Sequence, residues 1–318
     1  MFGIYRTLLA LVVVFHHCGG YKIGSFAVTS FFTLSGFLMT LLMCETYKKR
    51  VGAFAVNRFL RLYPVYWFTM LVMAILVLSG LPVPREDIGI PISEYHLIPD
   101  LLFINYWKDN PQLIIPAWAV TNEIVFYILI ALGISRTLLR SCIWLGISLI
   151  THIVIDSYAS PKSDLHYFSP VAASLPFSIG AVAYHLRSKI PVQKVIPVAI
   201  TTAITMAFCV ILYINEVQGL YLEYLFLVSS VLFIISIFHL RKVFPAIQKL
   251  DERIGSVSYS IYLNHYGAMM LSMALVGRQN KYLFFVLTLL FSISIAIVTV
   301  SLIDKQVNKL RRHFRQVH

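Results

Sequence analysis

The sequence predicts an all-α membrane protein of about ten spanning helices with both termini cytoplasmic. Three observations carry that prediction. Hydrophobic residues make up 58% of the 318, with a mean hydropathy of +0.78, more apolar surface than a soluble domain of this length can bury. Runs of spanning length recur along the chain, each near the ~20 residues that cross about 30 Å of hydrocarbon. With the N-terminus inside, every one of the 26 Lys and Arg falls on the inner side except Lys22, Arg85, Lys108, Lys162, Arg278 and Lys281. That bias is the positive-inside rule, and it accounts for the net charge of +12 without a nucleic-acid partner. Residues 1–318 read as a single transmembrane domain.

The predicted spans are 2–20, 23–44, 62–84, 113–135, 139–158, 165–186, 195–215, 222–240, 254–277 and 282–303. The first lacks a basic leader region, so it reads as a retained helix rather than a cleaved signal. His17 before Cys18 also gives no lipoprotein cleavage site. Within it, Arg6 and His17 lie about 20° apart on one helix face and roughly 16 Å apart along the axis, while His16 points about 80° away. Either residue alone reads as a boundary anchor. An acid, an arginine pair and a second buried histidine elsewhere in the chain turn the reading toward function, because intramembrane ionisable groups are costly.

The second span carries FFTLSGFLM at 31–39, where Ser35 and Gly36 offer a small surface for helix packing or a backbone that opens to a ligand. Packing is the better reading from composition. The inner segment 45–62 delivers Arg58 and Arg61, three apart and so neighbours on one helical face, as a fork suited to phosphate or as a snorkelling belt. Pro64 reads as helix punctuation, and Tyr63, Tyr66 and Trp67 as an interfacial aromatic group. The outer loop 82–112 is a candidate lid or acceptor-binding surface, and Asn110 within it is expected outside.

In the fourth span, Glu123 of WAVTNEIVFY sits inside the hydrocarbon and requires a partner, for which His17 and Arg6 are candidates. Tyr127 shares its face at i+4. Pro170, Pro176 and Gly180 predict a kinked sixth span. Spans seven and eight read as scaffold. The ninth, with GSVSYSIYLNH at 255–265, puts His265 near mid-bilayer, where a satisfied buried histidine is the first reading. The tail after 304 is basic and amphipathic, suited to anionic membrane lipids. Cys18, Cys44, Cys142 and Cys209 have neither metal-ligand spacing nor a disulfide pattern. No P-loop, dinucleotide-binding glycine fingerprint, G-x-S-x-G or H-E-x-x-H is present.

Taken in order, these stretches resemble the acyltransferase 3 family of bacterial membrane O-acyltransferases. The pieces are Arg6 with His17, FFTLSGFLM, Arg58 and Arg61 in RFLRLYPVYW, Trp118 with Glu123 and Phe126-Tyr127, and SYSIYLNH, which includes Tyr262 and His265. The family's Trp-Ser-Leu is here Trp118-Ala119-Val120, so no hydroxyl stands at 119. The chain looks like a stand-alone member, without the extracytoplasmic esterase-like domain that some members carry. The resemblance implies transfer of an acyl group, most often acetyl, from cytoplasmic acyl-CoA to a hydroxyl of an envelope polysaccharide or lipid-linked sugar. It places the protein in the bacterial inner membrane.

The expected catalytic residues are His17 as base with Glu123 and Arg6. Arg58, Arg61, Ser35 and Gly36 are expected toward the acetyl-CoA or other acyl-CoA co-substrate, and Tyr127, Tyr262 and His265 as additional members; no metal is expected. A neutral imidazole is suited to taking an alcohol's proton. The rival class is a proton-coupled transporter, against which the absence of a paired repeat weighs. A binding or regulatory membrane protein would leave the buried Arg, His and Glu as unexplained cost.

Overall fold

The computed structural model describes residues 1–19, 23–48, 50–91, 94–103, 111–158, 164–217 and 219–316. Asn110, Lys22, Lys108 and Lys162, used above for topology, lie outside them. Twelve α-helices run among the described residues. They are α1 (Phe2–Gly19), α2 (Gly24–Leu41), α3 (Val51–Leu78), α4 (Glu94–Leu101), α5 (Ala117–Ala131) and α6 (Leu138–Tyr158). They continue with α7 (Pro170–Leu186), α8 (Val195–Ile214), α9 (Leu220–Val243), α10 (Gln248–Val276), α11 (Lys281–Thr299) and α12 (Lys305–Gln316). Each predicted span is a helix, and seven helical stretches are long and apolar enough to cross a membrane. The protein is an all-α polytopic membrane protein.

Its residues cluster into two compact units. The first comprises Met1–Tyr5, Lys22–Ala55 and Asn122–Glu252. Here α2 and α7 approach until backbone meets backbone: a Cβ on Gly36 would collide with the carbonyl of Phe177, and one on Gly180 with that of Thr33. Small residues permit that approach, and dispersion across it replaces the hydrophobic drive that lipid removes. The packing reading of Gly36 therefore accounts for it. A run of stacked rings, Phe32 on Phe177, Phe177 on Phe126 and Phe126 on Trp144, fills the same unit. Helix α7 starts on Pro170 with Ser169 as N-cap, whose side chain accepts the Ala172 N–H at 3.2 Å.

The second unit comprises Arg6–Tyr21, Val56–Thr121 and Arg253–His318. Within it, Thr7 donates to the Ile254 carbonyl and His17 stacks on His265, so α1 and α10 are parallel neighbours. Tyr259 donates to Leu62, and Gly267 lies against Met73 and Leu76, so α3 runs parallel to α10 as well. The buried pair Asn264 and Ser292 joins α10 to α11, with the Ser292 hydroxyl donating to Asn264 Oδ1 at 2.6 Å. Asp304 follows α11 on a π-helical turn, Val300–Asp304.

Two expectations change here. Pro64 lies inside α3 and does not end it, so Arg58, Arg61 and the aromatic group share one continuous 28-residue helix. A helix this long, in a packed bundle, absorbs the one backbone hydrogen bond that proline removes.

Loop 82–112 does not simply cover the outer end. It returns along α3 until Tyr66, Trp67 and Tyr63 donate to the carbonyls of Asp100, Leu101 and Leu102 at 2.6, 3.0 and 3.1 Å. These carbonyls lie at and just past the end of α4, where helical hydrogen bonding runs out. Phe103 closes the turn at φ 60° with its ring 3.6 Å from that of Tyr66. The three aromatics, read from the sequence as an interfacial group, thus also hold a returning segment.

Candidate active site

In the second unit α1 carries both Arg6 and His17, and the helix is unbroken between them. His17 is half-buried at its end. Its Nδ1 lies 3.1 Å from the hydroxyl of Tyr266, a residue 2% exposed. Its ring stacks on that of His265, with centroids 5.1 Å apart and planes 18° from parallel. His265 is fully buried, and its Nδ1 lies 2.7 Å from the Tyr262 carbonyl. In the neutral ring that contact makes Nδ1 the donor and leaves the lone pair on Nε2, which has no hydrogen-bond partner among the described residues. The reading of His265 as a satisfied core histidine thus fails at one nitrogen. Tyr262 itself donates to the Pro116 carbonyl at 3.2 Å, tying α10 to the start of α5.

Arg85 lies near enough to Tyr266 for its charge to act on the phenol. Asp87 holds Arg85 through two bonds of 2.8 and 2.6 Å, and that contact raises the guanidinium's already high pKa. An Asp87, Arg85, Tyr266 and His17 series results. Sequence reasoning missed Tyr266 and Arg85. Tyr266 directly follows His265 and Arg85 was counted only as an outer charge, so neither carried a periodic signal.

On α3, Arg58 donates to Asn57 Oδ1 at 2.6 Å, and Arg311 of α12 reaches the same oxygen at 3.4 Å. Arg61 pairs with Asp304, its Nη1 3.5 Å from Oδ2. The two predicted arginines thus differ in their contacts: Arg61 faces a buried carboxylate, and Arg58 and Arg311 share the Asn57 amide oxygen. Arg311 was read only as a lipid contact. Counting along the parallel helices α3 and α10 from the Tyr259–Leu62 contact, Arg58 and His265 stand roughly 15 Å apart in depth at 1.5 Å per residue.

In the first unit, Glu123 receives hydroxyl hydrogen bonds on both oxygens, from Ser35 at 2.6 Å and Tyr127 at 2.8 Å. Two donors are what a carboxylate at this depth requires. The i+4 spacing put Tyr127 on the face of Glu123, and the partners expected there were His17 and Arg6; the carboxylate instead receives its two hydroxyls from Tyr127 and from Ser35, which the sequence had grouped with the donor residues.

A buried histidine stacked on a half-buried one, with paired charges, in a helical membrane bundle defines an integral-membrane protein with a built polar interior. Residues 4–303 match a family model described as an acyltransferase domain. The chain belongs to the acyltransferase 3 family. Acyltransferase MdmB of Streptomyces mycarofaciens is 33% identical over 110 residues, covering 33% of this chain and 27% of that protein. Protein 2 in the picA locus of Rhizobium radiobacter is 30% identical over 175 residues, covering 47% of this chain and 90% of that protein. No solved structure matches the chain.

Proposed function

We propose that the protein moves an acyl group, acetyl being the one the resemblance implies, from cytoplasmic acyl-CoA to a hydroxyl of an envelope polysaccharide or lipid-linked sugar in the bacterial inner membrane. The observation that carries this reading is the depth of roughly 15 Å between the Arg58 group and the histidine pair, within one set of parallel helices. That depth suits the pantetheine arm of CoA, with the phosphates on Arg58 and Arg311 and the thioester near His17. Arg6, on the face of α1 that leads to His17, is assigned to the donor's path.

In the proposed step, His17 donates Nδ1–H to the Tyr266 oxygen and takes the acceptor hydroxyl's proton on Nε2. The oxygen attacks the thioester carbonyl, the C–S bond breaks, and the imidazolium returns its proton to the departing CoA thiolate. An ester and free CoA are the products. His265, stacked on the reacting ring, restricts its orientation. Glu123, half-buried and held by Ser35 and Tyr127, is assigned to the transfer by the family resemblance alone. Glu123→Gln, which keeps both hydroxyl partners, isolates its charge.

The test is thiol release from acetyl-CoA by purified protein in nanodiscs, with and without envelope glycan from the bacterium. Release that depends on glycan, with an acetyl ester found on the glycan by mass spectrometry, is the expected result. No release with any glycan fraction would overturn the donor assignment.

A further inference from the structure

The first unit contains a cavity of about 460 Å³ that the steps above do not use, within the roughly 300–1,000 Å³ range of ligand sites. It opens at one end of the unit, among the start of α2, the end of α6, the start of α7 and the start of α9. Asp156 lies between two imidazoles: His152 Nε2 is 3.8 Å from one of its oxygens and His166 Nε2 3.5 Å from the other. These side chains are 20%, 25% and 22% exposed for His152, Asp156 and His166. The separations are long for direct hydrogen bonds, so the carboxylate keeps accepting capacity. His166 Nδ1 has no hydrogen-bond partner among the described residues. Glu223 and Tyr224 of α9 line the cavity, and Tyr224 meets the His152 ring edge-on at 6.2 Å. Phe32 and Phe226 supply apolar faces.

We infer that this cavity binds a neutral, hydroxyl-rich ligand of pyranose size, the sugar of the acceptor; the last clause rests on the acyl-transfer reading above. Carboxylates accept from adjacent hydroxyls, imidazoles and phenols donate or accept, and aromatic faces cover the C–H face of a sugar ring. The described lining has no Lys or Arg for an anion. Among the described residues no three His, Cys, Asp or Glu converge as metal ligands. A cation would find the Asp156 carboxylate already facing two imidazoles.

Saturation-transfer NMR tests this on protein in nanodiscs, with methyl α-glucopyranoside, methyl α-galactopyranoside and methyl α-mannopyranoside as probes. Wild type should bind at least one. The pair Asp156→Asn with Glu223→Gln, and separately Ala172→Phe, which fills the cavity without touching either carboxylate, should each weaken that binding about tenfold or more, the scale of one or two lost charge-assisted hydrogen bonds. No transfer to any glycoside, equal transfer in all variants, or tighter binding of tetramethylammonium would overturn the inference. Acetyl-CoA cleavage by the same preparations separates the two readings. Cleavage without glycoside binding sinks the cavity assignment alone, whereas glycoside binding lost in both variants supports it even if the wild type cleaves no acetyl-CoA.

Discussion

The Tyr266 hydroxyl lies 3.1 Å from Nδ1 of His17, and Arg85 lies near it. A phenol in this place fixes which nitrogen of the imidazole faces the substrate. Tyr266→Phe should therefore lower kcat with little change in the KM for acyl-CoA. About 1 kcal/mol is at stake, up to roughly tenfold in rate. The pH–rate profile should shift as well, which loss of packing alone would not produce. An unchanged profile and rate would remove Tyr266 from the positioning role.

Arg58 and Arg61 should separate under mutation. Arg58→Ala is expected to weaken CoA binding by about 1–3 kcal/mol, with lysine restoring only part because a bidentate contact needs the guanidinium fork. Arg61→Ala leaves the Asp304 carboxylate, 2% exposed, without its cation, so its main effect should be about 1–3 kcal/mol of stability. Thermal unfolding and CoA titration on both variants check this. A stable Arg61→Ala protein with lost CoA affinity would return Arg61 to the donor site.

Gly36→Ala and Gly180→Ala each place a methyl group into backbone of the facing helix. Neither backbone can rotate away as a side chain would, so each should cost about 1–3 kcal/mol as overpacking. Thermal unfolding in detergent reads this directly. A ligand opening at Gly36 would instead show as altered CoA affinity at unchanged stability.

At the start of α1 the Asp251 carboxylate accepts from the Ile4 N–H at 2.8 Å. Burial alone would raise its pKa, but bonds from the Ile4 and Gly3 N–H groups and the N-terminal ammonium hold it below the usual carboxylate range. With the folded pKa lowered, its contribution is present above the unfolded value and is lost as pH falls through the folded one. Asp251→Asn should cost about 1 kcal/mol at neutral pH, the scale of a helix cap. The difference from wild type should shrink below pH ~4. A difference that persists undiminished in acid would mean that the charge is not what caps the helix.

Spans are legible because length and apolarity are summed over some twenty residues, so one proline or glutamate does not hide them. All ten appear as helices, including the short α5 around Glu123. What escapes is contact at long sequence separation. The Glu123–Tyr127 bond follows from i+4 spacing, but Ser35 reaches the same carboxylate from 88 residues away. Tyr63, Tyr66 and Trp67 have the composition of an interfacial belt, and only the position of α4 turns them into donors to the carbonyls at its end. Arg311 likewise shares Asn57 with Arg58 across 254 residues of chain, which no local pattern encodes.

The most direct test compares His17→Ala with His16→Ala in acetyl-CoA-dependent acetylation of envelope glycan. The two residues are adjacent in the chain but point to different faces of α1, and it is His17 that stacks on His265 and meets Tyr266. If His17 is the general base, its loss should lower the chemical step about 10²–10⁴-fold while CoA affinity and thermal stability stay near wild type. The His16 variant should keep most of its activity. Equal activity in the two variants, or an essential His16 beside a dispensable His17, would contradict the account.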